Sequence, residues 1–275
     1  MARPALVPSL RSMITVTAGY GKPLMDSITG ASPRQLARSA GALYLVNIVL
    51  GAFAIGVVPA ILVVPDLATT AHNIAAHELL YRSGLVAHLV VTVTNVAMAV
   101  IFYDLFKVVN RRLALLDVFF TLVATAIEAA GLLSQFTPLV LLGNGRYASA
   151  LPAAQLQALA HLPGDLSTVN YSIYGVFYGF DIICVAYLVL RSGFLPRAIG
   201  VLLAIDAVTY LVYGFVNLLA PGVAAHLVPW IELPPLLGEG SFCLWLLVVG
   251  VDTGRWKERA AAALAVHSAP AQELA

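Results

Sequence analysis

Six long apolar segments lie between about Gly41 and Val251, and the chain's positive charges alternate across them. Arg34 and Arg38 precede the first segment, and Lys107, Arg111 and Arg112 fill the second gap. Arg191 and Arg197 occupy the fourth gap, and Arg255, Lys257 and Arg259 follow the sixth segment. The first and third gaps hold one arginine each, Arg82 and Arg146, and the fifth holds none. Loops rich in Lys and Arg stay cytoplasmic. The pattern therefore predicts an all-α polytopic membrane protein, a six-helix transmembrane bundle with both ends inside. Spans are expected near 39–61, 83–109, 113–141, 166–190, 198–219 and 234–252. Each approaches the ~20 residues that cross ~30 Å of hydrocarbon.

Composition closes off the other classes. At 60% hydrophobic and 11% charged residues, a soluble domain would be unable to cover its surface. A net charge of +1 sets up no field for nucleic acid. Cys184 and Cys243 fall mid-segment, which argues against a disulfide framework. Residues 1–32, broken by Pro4, Pro8, Gly19, Gly21 and Pro23, are expected to form a disordered cytoplasmic tail rather than a signal peptide. Residues 33–254 form one membrane domain, and 255–275 a second tail in which Trp256 sits at headgroup level. Outside the membrane, 65–84 reads as a surface-lying amphipathic helix capped by Asp66 and followed by Gly84. Leu151 to Leu159 reads as a second amphipathic stretch, ended by Pro163-Gly164, with Asp165 capping the fourth span.

The spans carry polar stripes. At about 100° per residue, Asp117, Thr121, Thr125, Glu128 and Gln135 share one face of the third, and His88, Thr92, Asn95 and Tyr103 one face of the second. The fourth aligns Asn170, Tyr174, Tyr178 and Asp181; the fifth aligns Asp206, Thr209, Tyr210, Tyr213 and Asn217. The sixth offers Glu239 and Cys243 beneath Glu232, and the first Tyr44 and Asn47. An ionisable residue in a span costs about 2.5–3.5 kcal/mol on the insertion scale, so it turns inward. One shared polar interior follows. Glu128, Glu239, Asp181, Asp206 and His88 are its candidate proton or cation groups, since no Lys or Arg lies well within a span. Asn73, Glu78 and Arg82 are candidates for an outer gate. Asp104 and Asp117 are expected to snorkel to the cytoplasmic surface beside Lys107, Arg111 and Arg112. The Thr, Asn and Tyr positions have an interhelical role open to them as well, at ~0.6 kcal/mol apiece.

Catalytic signatures are absent. There is no Gly-x-Ser-x-Gly elbow and no phosphate-binding Gly-rich loop with Lys. His72, His77, His88, His161 and His226 with Glu78, Glu128 and Glu239 are the residues from which an outer-face metal site could be drawn, His77, His88 and Glu128 foremost, and their spacing matches no known site: His77-Glu78 is not followed by the second His of a zinc-protease helix. No metal and no cofactor is assigned. The partners expected are the lipid bilayer and a small solute or cation, without nucleic acid, and no feature sets an oligomeric state.

Several runs resemble an uncharacterised family of bacterial six-span membrane proteins known as domain of unknown function 4386. They are Ala40-Gly41-Ala42-Leu43-Tyr44-Leu45, Asp66…Thr70-Ala71…Asn73-Ile74…Glu78…Arg82-Ser83-Gly84, Ala126-Ile127-Glu128-Ala129, Arg191-Ser192-Gly193-Phe194-Leu195-Pro196-Arg197 and Gly238-Glu239-Gly240-Ser241. The resemblance covers about Pro33 to Asp252. It implies six spans in a bacterial inner membrane and a shared set of Asn73, Glu78, Arg82, Glu128 and Glu239, but no activity. Members tend to have His where Asp181 stands and Arg where Thr121 stands. Three readings remain open: a cavity that binds or passes a small solute, cation or proton; a membrane enzyme with His/Glu chemistry at the outer face; and a non-catalytic partner or sensor subunit.

Overall fold

The computed structural model describes residues 32–143 and 145–268; nearly all of the expected tail at 1–32, and residues 269–275 of the one at 255–275, lie outside them. Among the described residues six helices are long and apolar enough to cross a membrane: Pro33–Leu62, Glu78–Phe106, Arg111–Leu142, Ala153–Ser192, Arg197–Leu219 and Trp230–Val248, here the first to sixth spans. Their outward side chains are large and apolar, among them Val49, Val93, Phe119, Ile183, Val208 and Leu244. Such a surface belongs in hydrocarbon. The protein is a multi-pass membrane protein.

Each span packs on its neighbours in sequence, and the sixth returns to the first, so the bundle is a closed ring. Helix axes pack ~8–10 Å apart. The centre of a six-membered ring is therefore wide enough for another helix ~10 Å across, and side chains must fill it or leave a void. The two halves solve this differently. In the half toward the described chain ends, which we call the terminal face, Phe102, Phe106, Phe194 and Phe242 plug the middle with Leu105, Leu188, Leu203 and Leu246. Ring centroids there lie 5.6 Å apart for Phe102–Phe242 and 6.1 Å for Phe106–Phe194. The opposite half is left open.

Close approach is what shuts the ring. A side-chain carbon on Gly41 would collide with the Leu246–Leu247 backbone of the sixth span. At the fourth span's end, Gly193 takes the left-handed conformation (φ 76°) that favours glycine. The arginines of the terminal face cap carbonyls at helix ends. Arg38 donates to Val248 O at 2.9 Å and Arg34 to Val249 O at 3.3 Å. Arg255 donates to Gly193 O at 3.0 Å, and Arg259 to Arg191 O at 3.2 Å. Cations at helix C-termini meet both the orphan carbonyls and the negative end of the helix dipole.

Three local expectations are corrected. The 65–84 segment is two pieces: a helix at Leu67–Ala76 ends at His77, and the second span already starts at Glu78, with Gly84 buried inside it. The Leu151–Leu159 stretch continues from Ala153 straight into the fourth span with Pro163 inside the helix, since a proline costs an isolated hydrogen bond that tertiary packing here outweighs. Asp165 is thus no cap; it lies mid-helix, 70% exposed, 3.7 Å from His161. At the other end, Thr253–Ser268 is helical and pinned by Trp256, whose Nε1–H donates to Leu105 O at 2.9 Å. In the first span a π-helical turn, Ala52–Val57, precedes Pro59. Pro59 supplies no backbone N–H to the ladder, and the wider turn just before it is one of the local adjustments helices make around such positions.

Asp66 does cap the Leu67–Ala76 helix, accepting from Thr69 N at 2.7 Å and Thr69 Oγ1 at 2.5 Å. Those bonds favour the carboxylate and hold its pKa below the usual 3.8. A depressed folded value means the cap stabilises above the unfolded pKa and is lost as pH falls through the folded one. Amide protection at Thr69 and Thr70, corrected for intrinsic exchange, is therefore expected to fall below about pH 4, and Asp66→Asn, a cap without charge, to remove that pH dependence of protection. An unchanged pH profile in Asp66→Asn would locate the effect elsewhere.

Candidate functional site

The open half of the ring holds a cavity of about 580 Å³, within the ~300–1,000 Å³ of small-molecule sites. Every span contributes to its wall: Tyr44 and Asn47; His88 and Asn95; Glu128; Asn170, Tyr174 and Tyr178; Tyr210 and Tyr213; Glu232 and Glu239. The polar stripes meet here because facing lipid would leave their groups without partners.

Glu239 is the most elaborately held of these groups. Tyr44 OH donates to its Oε2 at 2.7 Å and Tyr178 OH at 3.0 Å, while Tyr210 OH donates to Oε1 at 2.9 Å. The donors come from the first, fourth and fifth spans, so one carboxylate of the sixth ties four of the ring's six helices. Three phenol donors suit the ionised form, and Glu239 keeps partial access to the cavity. On the facing wall, His88 Nε2 lies 2.9 Å from Glu128 Oε1, and Thr92 Oγ1 is 3.3 Å from Glu128 Oε2. A third polar knot links Asn47, Asn95 and Thr94: Asn47 donates to Asn95 Oδ1 at 2.5 Å, and Thr94 Oγ1 bonds Asn47 Oδ1.

Of the candidate groups, Glu128, Glu239 and His88 thus line the cavity. Asp181 and Asp206 do not. Asp181 points from the fourth span to Thr121 Oγ1 at 2.8 Å on the third. Asp117 lies beside Asp181, 1% exposed and with Oδ1 unpaired, rather than at the surface. With a single methylene it lacks the reach by which longer side chains snorkel; Asp104, one helix back, does pair with Lys107 at 2.6 Å. Asp206 is fully buried where the fifth and sixth spans touch, with neither carboxyl oxygen hydrogen-bonded.

The gate candidates do not converge. Glu78 and Arg82 pair at 2.6 Å on the first turn of the second span, each side chain 51% exposed, and Asn73 donates to Leu62 O at 3.2 Å. None of the three lines the cavity. Nor does Tyr103, whose hydroxyl accepts from Arg111 at 3.3 Å at the terminal face. Of the metal candidates, His77 stands at the helix break, away from the His88–Glu128 pair. Among the described residues no group of three His, Cys, Asp or Glu side chains is placed to hold a metal ion.

The residues the sequence undervalued are the tyrosines. Tyr171, Tyr174 and Tyr178 stack along the fourth span with centroids 5.9 and 5.2 Å apart. Tyr210 meets Tyr178 edge-on at 4.9 Å, and Tyr213 meets Tyr171 at 6.3 Å. Spacings of three and four place them on one helix face. That periodicity was open to detection, but it also fits interhelical packing. A smaller adjoining cavity of about 330 Å³ shares His88, Gln135, Ile55 and Ser167 with the main one and runs under the Leu67–Ala76 helix.

A ring of six apolar helices, dry in one half and lined by acids and tyrosines in the other, defines a polytopic membrane protein with a buried polar chamber. Its family is shown by sequence. The model of a family described as Domain of unknown function (DUF4386) matches residues 39–250, and the chain belongs to that family. No curated protein and no solved structure matches it.

Proposed function

We propose that this is a bacterial inner-membrane protein, with the terminal face cytoplasmic, whose chamber takes a small solute from the opposite side and anchors it at Glu239. One observation carries the reading: a carboxylate held by three phenols is still partly accessible at the base of a chamber that phenylalanines close toward the terminal face. Groups buried only for folding have no need of so much adjoining space. The terminal face carries Arg34, Arg38, Lys107, Arg111, Arg112, Arg191, Arg197, Arg255, Lys257 and Arg259, against Arg82 and Arg146 on the other, which supports the orientation. A protein of this shape binds solute from outside. Passing it on requires the phenylalanine plug to part, as alternating access does in carriers.

The test is accessibility followed by flux. Cys184 and Cys243 are buried and are first replaced by serine or alanine. A single cysteine at Ser167, on the chamber wall, is expected to react with a membrane-impermeant thiol reagent added outside intact cells. Protection of that cysteine by a small solute, lost in Glu239→Gln, supports the binding site, and Glu239-dependent uptake into proteoliposomes makes the protein a carrier. Failure of Ser167→Cys to react from outside sinks the reading. The enzymatic alternative rests on the His88–Glu128 pair, which has the spacing of a general base and the group that orients it.

A further inference from the structure

Resting on the chamber reading above, we infer that the solute is an organic ammonium ion, held between the tyrosine walls with Glu239 as its counter-charge. Charge sets the sign of the ligand. Glu128, Glu232 and Glu239 line the chamber, and among the described residues no Lys or Arg does. Its one basic side chain, His88, is already engaged by Glu128 at 2.9 Å. An anion would meet carboxylates with no partner of its own; a cation would relieve them.

The lining sets the type of cation. A hard metal ion calls for several oxygen ligands converging at short range. Glu239 has about four lone-pair sites, three of them taken by Tyr44, Tyr178 and Tyr210, and among the described residues no group of three His, Cys, Asp or Glu side chains is placed to hold a metal ion. The surroundings are instead aromatic. Two tyrosine walls meet at an angle: the stacked Tyr174–Tyr178 pair of the fourth span (18° between planes) and Tyr210 of the fifth, turned 85° from Tyr178. Tyr174, Tyr178, Tyr210 and Tyr213 line the chamber, and an alkylated nitrogen binds the negative face of such a ring by cation–π attraction without shedding strongly held water. A space of about 580 Å³ also suits an organic cation better than a bare ion. The phenol oxygens that donate to Glu239 retain lone pairs, so an ammonium carrying N–H finds acceptors as well.

The test compares choline with 3,3-dimethylbutan-1-ol, its uncharged isostere, on the full chain in nanodiscs by calorimetric titration. Choline is expected to bind, and the alcohol about tenfold or more weakly. Glu239→Gln is expected to weaken choline about tenfold or more, and Tyr174→Leu about tenfold, while Tyr174→Phe, which keeps the ring face, changes affinity less than about threefold. If Tyr174→Leu yields no folded protein, Tyr213→Leu on the fifth-span wall carries the same expectation. Equal binding of choline and the alcohol, or an unaffected ring-deletion variant, overturns the ammonium assignment while leaving a solute chamber in place. Binding of neither, with Ser167→Cys still reactive from outside, likewise overturns the assignment alone. Loss of that reactivity removes the chamber reading with it.

Discussion

Gly41→Leu is expected to abolish the folded protein. The first and sixth spans meet at Gly41 so closely that even one added carbon would overlap the Leu246–Leu247 backbone, and backbone cannot rotate away as a side-chain tip can. Cys243, adjacent on the same seam, sends its thiol to Gly41 O at 3.5 Å, a contact that also depends on the approach. Gly41→Ala should lower stability by about 1–3 kcal/mol, the usual cost of overpacking, and Gly41→Leu should leave no monodisperse species after detergent extraction. This contact is where the last span returns to the first, so parting it opens the ring and separates Tyr44 from Glu239. Size-exclusion profiles and thermal unfolding of the two variants decide the matter. A Gly41→Leu protein with wild-type melting behaviour would show that the ring is not closed there.

Asp206→Leu is expected to act in the opposite direction and stabilise. Asp206 is fully buried with both carboxyl oxygens unpaired, and an unsatisfied buried polar group costs roughly 1–3 kcal/mol. Leucine has the same branched outline with apolar ends, so the substitution should recover about that amount, read as a raised unfolding temperature. Gly238 packs directly on this residue, so some gain is lost to the added methyl volume. Destabilisation instead would mean that the carboxyl has a partner such as bound water. A protein made more stable but less active would mark Asp206 as retained for function at the expense of stability.

The polar stripe of the third span illustrates how far the sequence reaches. Helical periodicity placed Asp117, Thr121, Thr125, Glu128 and Gln135 on one face, and that face does turn inward. Glu128 and Gln135 meet the chamber, whereas Asp117 is packed dry against Asp181. Both lie at the same angle around the helix; what separates them is depth within the ring, relative to a plug assembled from Phe102, Phe106, Phe194 and Phe242. The plug residues come from the second span, the fourth-to-fifth turn and the sixth span, and nothing local in any of those segments announces that their rings will stack. Tyr171 is a parallel case: its period is visible, and its partner is not.

Span number, helical class and the inward faces were therefore determined by the sequence alone. Hydrocarbon imposes those rules on each segment separately, since every backbone group must bond within its own helix and every polar side chain must turn from lipid. Which inward groups meet water and which lie dry, and the gathering of three phenols on Glu239, were decided only by tertiary structure. Those outcomes depend on how side chains from different spans divide the space at the centre of a ring, and that division is a property of the closed assembly rather than of any one helix.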